Sequence, residues 1–433
     1  MKRSHLVLFG LAAVLGVAAA GSAGCGATGG RNVFDNDGGS GGEDSGGNGG
    51  SGSSGQPGTG GSTSSDGVGG TFVGSGGNGS GGGSAQCSND TNVDNDGDGF
   101  SEAQGDCNDC DANVSPGSIE VATDPNDPMA TAADEDCDGV TDNVAPAACD
   151  DNIGLQDTDP QNGARALDLC QFITPADKKW GVLSAQYVRA NGNPASYTRH
   201  IGIQSGFGPN VNVQKGTRML TLSSGYARLP NQAGACGSLS CSEIGAGTPP
   251  PGFPQDVPGC DGDPDINDDV GLEVKIRSPK NATGYKFKFK FYSMEFPEYV
   301  CTQFNDQFIA LVSPEPQGSI NGNISFDKNT NPVSVNIAYF DVCSYDSFYP
   351  QFTCPSGPGE MEGTGFGTWD EAGGTSWLQT QAPIKGGDEV TIRWAIWDTG
   401  DTAWDSTVLV DGFEWVANGG TVVVGTDPIE DPK

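Results

Sequence analysis

The stretch Tyr285-Lys286-Phe287-Lys288-Phe289-Lys290-Phe291-Tyr292 decides the fold class. In an extended chain Phe287, Phe289 and Phe291 fall on one side, and Lys286, Lys288 and Lys290 on the other. A period of two with apolar and charged faces predicts a half-buried antiparallel strand. Working outward, Gly271–Arg277, Gln307–Val312, Val333–Phe340, Glu389–Trp397 and Thr407–Val416 read the same way, separated by Gly, Pro and Asn turns. Helical periodicity is scarce, with Ala164–Phe172 a single short candidate. Many strands with turn punctuation predict an all-β, jelly-roll-like β-sandwich over residues 149–425, with 426–433 as a tail.

Upstream, residues 87–148 are dense in Asp and Cys and poor in apolar side chains. A segment without a core needs metal or disulfides to hold it. Asp94, Asp96 and Asp98 alternate and are followed by Gly99. A tight loop of this kind wraps carboxylates around a hard cation, Gly permits the turn, and the carbonyl of Phe100 can add a ligand. An EF-hand would have Glu at the twelfth position, where this chain has Gly105, so the loop is not an EF-hand. Further donors follow at Asp106, Asn108, Asp109 and Asp111, and then at Asp134, Asp136, Asp138 and Asp142. The plainer reading is a solvated acidic linker.

The first residues read as a processing signal over 1–24. Lys2, Arg3 and His5 precede an apolar run, Leu6 to Ala20, too short for a comfortable bilayer crossing. The ending Ser22-Ala23-Gly24-Cys25 resembles the lipobox of bacterial lipoproteins, which implies acylation at Cys25. Ser22 departs from the Leu usual there, and ordinary cleavage near the Ala/Gly cluster is the competing reading. Residues 25–86 are Gly, Ser, Asn, Asp and Thr with almost nothing to bury, and predict a disordered linker. A flexible coil of this length averages roughly 40–45 Å end to end.

The chain carries 56 Asp and Glu against 21 Lys and Arg, a formal net charge of −35. Such a chain is repelled by nucleic acid and by anionic membrane surfaces, so membrane attachment is expected only through a lipid anchor. Of its 13 Cys, setting Cys25 aside leaves an even number, as expected for disulfides in an exported protein. Cys236/Cys241 and Cys343/Cys354 are close enough in sequence to staple loops. There are two His, and His5 lies in the signal, which leaves His200 as the one candidate base for a triad.

Two families enter on these motifs. Asp94 to Asp142 resembles the MopE-type metal-binding repeat of bacterial surface proteins, itself similar to thrombospondin type 3 calcium repeats. That resemblance implies Cys107 paired with Cys137 around bound calcium. Cys110 and the lengthened segment Ile119 to Asp134 depart from its pattern. Farther on, Glu295, Pro297, Glu298, Tyr299, Asn305, Asp306, Phe308, Asp398, Gly400, Asp401, Asp405, Ser406, Asp411 and Phe413 resemble the choice-of-anchor L domain of bacterial surface proteins, over roughly Gly271 to Val416. Met294 stands where that pattern often has Glu. The resemblance implies a surface location and an architecture, not a reaction.

Acidic residues beside apolar strand positions are costly unless paired or coordinating. Glu295, Glu298, Asn305, Asp306, Asp398, Asp401, Asp405 and Asp411 are therefore a second candidate metal or ligand site, with turn capping as the alternative. The expected function is a calcium-stabilised binding or adhesion protein of the cell surface or outer membrane, recognising a glycan or a surface protein. Trp377, Trp397 and Trp404 are candidates for stacking on sugar rings, with core packing as the rival reading. The alternatives are a glycan-active hydrolase using Glu295 and Glu298, or a purely structural envelope component. No catalytic residue is assigned.

Overall fold

The computed structural model describes residues 87–123, 126, 131–143, 148–344, 346, 348–368, 372–417 and 420–429. The expected signal over 1–24, the expected anchor at Cys25 and the expected linker over 25–86 lie outside the described residues. The strands are β1 (Gly181–Val188), β2 (Ile201–Gln204), β3 (Met219–Ser223), β4 (Ile266–Arg277), β5 (Gly284–Ser293) and β6 (Gln307–Ser313). They continue as β7 (Phe340–Cys343), β8 (Gly373–Thr375), β9 (Leu378–Pro383), β10 (Glu389–Thr399), β11 (Ser406–Val416) and β12 (Gly425–Pro428). One sheet has four strands in the order β1-β4-β10-β6, and the other runs β12-β9-β5-β11-β3-β2, with β8 joining β5 to β7. The named strand pairs are all antiparallel. This is an all-β sandwich.

Alternation builds its core. Val270, Leu272, Val274 and Ile276 of β4, Ile392, Trp394 and Ile396 of β10, and Phe308 and Ala310 of β6 point inward from one sheet. Phe287, Phe289 and Phe291 of β5, with Val408 and Val410 of β11, meet them from the other. Phe287 stands edge-on to Trp394 at 5.6 Å between ring centres, and Phe289 lies 5.1 Å from Phe308. Aromatic pairs in such arrangements add to the stabilisation from burial alone.

The outer faces are also partly covered. Lys290, expected in solvent, is fully buried and ion-pairs with Glu360. It shares its face with Tyr292, and both lie under the segment that carries Met361 and Phe366. Period two assigns a side to each residue; it does not say that the polar side stays wet. Trp377 and Trp397 are likewise buried, Trp397 packing edge-on against Phe253 on the outer face of β10, so neither is an exposed sugar platform. Trp404 is half-buried against Tyr299, at 4.9 Å between ring centres.

Two expected elements differ. Val333, Val335 and Ile337 are buried as their alternation suggests, but the strand there begins only at Phe340. Polar side chains hold the preceding backbone in turns: Asp327 accepts from the amide of Ala338 at 3.1 Å and Ser334 from that of Asn336 at 3.2 Å. Such local bonds compete with a ladder. The helix is α1 (Pro160–Arg165), earlier than Ala164–Phe172. Asp159 caps it by accepting from Gln161 N at 2.9 Å, and Pro160 occupies its first turn. Asp168, at φ +66°, prevents its continuation.

Among the described residues six disulfides join Cys87–Cys110, Cys107–Cys137, Cys149–Cys170, Cys236–Cys241, Cys260–Cys301 and Cys343–Cys354. No helix among these residues is long and apolar enough to cross a membrane.

Candidate metal centre and the acidic end of the sandwich

Two loops of the Asp/Cys segment repeat one another, Asp94–Phe100 and Asp134–Val140. In the first, Asp94 accepts from Gly97 and Gly99 amides at 2.7 and 2.9 Å, Asp96 from Asp98 at 3.1 Å, and Asp98 from Phe100 at 2.7 Å. In the second, Asp134 accepts from Asp138 and Gly139 at 3.1 and 3.0 Å, Asp136 from Asp138 at 3.1 Å, and Asp138 from Val140 at 2.8 Å. Gly99 and Gly139 have φ of +102° and +90°, which a Cβ would strain. Asp94 and Asp134 use both oxygens to fix their own loops, and Asp96, Asp98, Asp136 and Asp138 use one each, which pins the carboxylates in place.

The carboxylates of each loop converge with neighbouring acids. The ligand atoms of Asp94, Asp96 and Asp109 lie within 4.8 Å of one another, as do those of Asp96, Asp98 and Asp106, and those of Glu120, Asp134 and Asp136. Asp96 Oδ2, Asp98 Oδ2, Asp106 Oδ2 and Glu120 Oε2 are buried without a hydrogen bond. Burial, reinforced by Asp98 and Asp96, raises the carboxyl of Asp106 to about 6, and burial also raises Asp96, Asp136 and Glu120. Buried, unpaired carboxylate oxygens crowded together suit a hard cation with all-oxygen coordination.

The other expected donors do different work. Asp111 caps a turn at Asn113, with contacts of 3.2 and 2.9 Å, and Asp142 holds Thr123 at 3.1 and 2.7 Å. Asn108 donates its amide to Asp106 at 2.9 Å, while Phe100 supplies a buried ring. Glu120 was not anticipated. It lies in the lengthened segment, where no spacing rule applied, although it is an acid shortly before Asp134.

The Asp/Cys segment is seated on the sandwich. Asn281 bonds Ile119 through both its side-chain atoms, at 2.7 and 3.1 Å, Lys280 N donates to Gly117 O at 2.9 Å, and Trp180 Nε1 to Ser118 O at 3.2 Å. Lys178 reaches the loop itself, with Nζ 2.5 Å from Gly99 O, 2.9 Å from Gln104 Oε1 and over the Phe100 ring.

Strand register explains the second acidic group. Ser406 at the start of β11 pairs with Ser293 at the end of β5, and Gln307 at the start of β6 with Trp397 near the end of β10. One end of the sandwich therefore gathers Glu295, Asp306, Asp398 and Asp405. All four are buried. Asp306 accepts from Thr399 N at 2.9 Å and Ser406 Oγ at 2.8 Å, and its own amide donates to Glu295 at 3.4 Å. Neither oxygen of Asp398 receives a hydrogen bond of normal geometry. Burial drives the carboxyls of Glu295, Asp306 and Asp398 well above their usual range, and mutual repulsion adds to it. Asp405 is raised to about 9 by burial and by Asp398, against the Cys241 amide it accepts from at 2.9 Å.

The remaining predicted members are not in this group. Asp411 lies within β11, accepting from Gln214 N at 2.6 Å, with Asp168 nearby. Asp401 caps Ala403 at 2.9 Å, Asn305 accepts from Asn336 at 2.6 Å, and Glu298 is half-buried. His200 has both ring nitrogens engaged: Nδ1 is 3.2 Å from Ser223 O, and Nε2 accepts from Glu243 N at 3.0 Å. Burial lowers its pKa, so the ring is held neutral. Asp405 also closes within 4.8 Å of Cys236 and Cys241, but those sulfurs are joined to each other and offer no thiolate. Beside them opens a cavity of about 280 Å³, lined among others by Tyr226, Phe366, Ser238, Thr368 and Asp405.

Residues 260–414 match the model of the choice-of-anchor L domain. The match takes in β4 to β11 with Glu295, Asp306, Asp398 and Asp405, and begins downstream of the Asp94 and Asp134 loops. Such a domain indicates a bacterial cell-surface protein. No curated protein and no solved structure matches the chain significantly.

Proposed function

We propose that this chain is a surface lipoprotein that presents a binding sandwich on a calcium-stiffened neck. Cys25 carries the lipid, residues 25–86 give reach, and the Asp94 and Asp134 loops bind calcium as a structural ion. The observation that carries this reading is the trio of buried, unpaired oxygens on Asp96, Asp98 and Asp106, in a segment with almost no apolar core. Where a coreless segment is ordered by metal, ion affinity becomes folding free energy. Because Lys178 binds Gly99 O, ordering that loop also fixes how the sandwich is carried.

The ligand in this reading is a glycan, and its place is the cavity beside Cys236–Cys241. A volume of about 280 Å³ suits a single sugar ring, with Tyr226 and Phe366 to lie against it and Ser238 and Thr368 to meet its hydroxyls. Two measurements test the proposal. Calcium should raise the melting temperature of the intact chain, and D96N/D98N should remove that rise; an unchanged melting temperature in chelator defeats the calcium reading. A glycan array should then give calcium-dependent binding that Y226A abolishes. Binding that survives Y226A rejects the cavity, and a blank array favours a purely structural envelope role.

A further inference from the structure

Cys236–Cys241 has surroundings that a loop staple does not require. Among the described residues it is the one bridge with a carboxylate oxygen, that of Asp405, within 4.8 Å of both its sulfurs. Space is kept for that carboxyl: a Cβ on Gly225 would fall 1.8 Å from Asp405 Oδ2. Burial holds the carboxyl up to about 9, so it carries a proton at neutral pH. Beside the bridge lies the cavity of about 280 Å³, whose wall includes Cys236, Gly237 and Ser238.

The two halves of the bridge are held differently. Around Cys241 the backbone is tied down: Cys241 N donates to Asp405 Oδ2 at 2.9 Å, Asp405 N to Leu239 O at 3.0 Å, and Trp404 N to Ser240 Oγ at 2.8 Å. On the Cys236 side Gly237 and Ser238 are exposed, and a Cβ on Gly237 would meet nothing within 4 Å. A nucleophile in the cavity therefore meets Cys236 Sγ, and the sulfur it displaces is the one fixed beside Asp405. Thiol–disulfide exchange depends on access to the attacked sulfur and on how readily the other leaves. A proton donor beside the departing sulfur assists that departure.

We propose that Cys236–Cys241 is an exchangeable disulfide, opened by a cysteine-sized thiol that enters the cavity and attacks Cys236 Sγ while Asp405 protonates Cys241. The thiol loses its proton to water, and its thiolate forms a bond to Cys236 Sγ. The bond between Cys236 and Cys241 breaks, its electron pair goes to Cys241 Sγ, and that sulfur takes the proton of Asp405, which water then replaces. A second thiolate attacks the sulfur of the bound thiol and leaves with it as a small disulfide, and Cys236 takes a proton from water. Two thiols are oxidised and one protein disulfide is reduced. The exchange releases one wall of the cavity, and it stands whether or not the cavity holds a glycan.

The test treats the full chain with cysteine at pH 7, quenches by alkylation and maps the peptides by mass spectrometry. The comparison is Cys260–Cys301, whose Cys301 is exposed but which lacks a carboxylate so close to both sulfurs. The mixed disulfide should form on Cys236 and not on Cys241, and Cys236–Cys241 should open at least tenfold faster than Cys260–Cys301. An adduct on Cys241, or an advantage below tenfold, overturns the proposal with no variant needed. D405N should lower the ratio of the two opening rates at least tenfold, and D405E should restore most of it. Taking the ratio within one sample cancels any general loosening of the fold. A ratio that D405N leaves unchanged overturns the proposal as well, since the bridge then opens without its proton donor.

Discussion

An aspartate in the Asp94–Phe100 loop and an aspartate at the end of β10 use the same side chain against different backgrounds. In the neck, the carboxylates accept from amides two to five residues ahead, Asp94 through both oxygens and Asp96 and Asp98 through one, and the loop is its own scaffold. In the sandwich, Asp306 and Asp405 take their partners from residues about 90 to 165 positions away, supplied by strand register. The neck therefore has its geometry written locally and needs an ion or disulfide to persist. The sandwich has a core that forces charges together whether or not they are comfortable. Local order is legible and fragile; imposed order is hidden and robust.

The largest expected effect breaks the second half of that contrast. Trp394→Ala removes a fully buried ring from between the sheets and should cost about 3–5 kcal/mol in urea unfolding of the sandwich. Opening Cys107–Cys137 with C107S/C137S attacks the first half. The bridge closes a loop with a sequence separation of 30, and its loss should cost the neck about 3–4 kcal/mol, seen as faster amide exchange over residues 94–140. Should exchange in β4 and β10 accelerate equally, the two regions are one cooperative unit and the contrast fails.

Glu360→Gln leaves the buried ammonium of Lys290 without its counter-charge and should destabilise by about 3 kcal/mol. K290M in the same background should recover most of it, since methionine suits the site among Tyr292 and Met361.

The effect of Asp405 depends on pH. Its carboxyl sits at about 9 when folded and near 3.8 when unfolded, so the folded state holds the extra proton between those values. Stability from this group is full below pH 4 and declines as pH rises toward 9. The melting temperature should fall from pH 5 to pH 9, and D405N should flatten that slope; a slope that D405N leaves intact assigns it to other acids. Least of all, E389Q at the surface cluster with Lys275 and Arg277 should shift stability by only about 0.2–1 kcal/mol in the same titration.

What could be read beforehand follows the same division. Period two at Tyr285–Tyr292 and Thr407–Val416 located β5 and β11, because alternation is local information. The Asp94 and Asp134 loops were legible for the same reason, as were the staples Cys236–Cys241 and Cys343–Cys354. The short strands β1 to β3 were not found, since Gly181–Val188 alternates only in part and Ile201–Gln204 is buried throughout. The burial of Lys290 and Trp397 depends on distant segments folding over the outer faces. The division of the acidic residues, with Asp411 left at Gln214 while Asp306 joins Asp398, rests on register between strands far apart in sequence. The pairings Cys87–Cys110, Cys149–Cys170 and Cys260–Cys301 were equally out of reach, because loop length does not choose among partners.

The overlap of Cys87–Cys110 with Cys107–Cys137 has a mechanical meaning. A pull applied at Cys87 does not run along the backbone through the Asp94–Phe100 loop; it passes by covalent shortcut to Cys110 and, a few residues back along the chain, from Cys107 to Cys137. The first shortcut hides a sequence separation of 23 and the second one of 30. At about 3.4 Å per extended residue, the first alone withholds roughly 80 Å of slack. Drag on the sandwich would reach Cys87 with the neck short and the Asp94–Phe100 loop unloaded, as a strain-relief collar protects the fine wiring inside a cable.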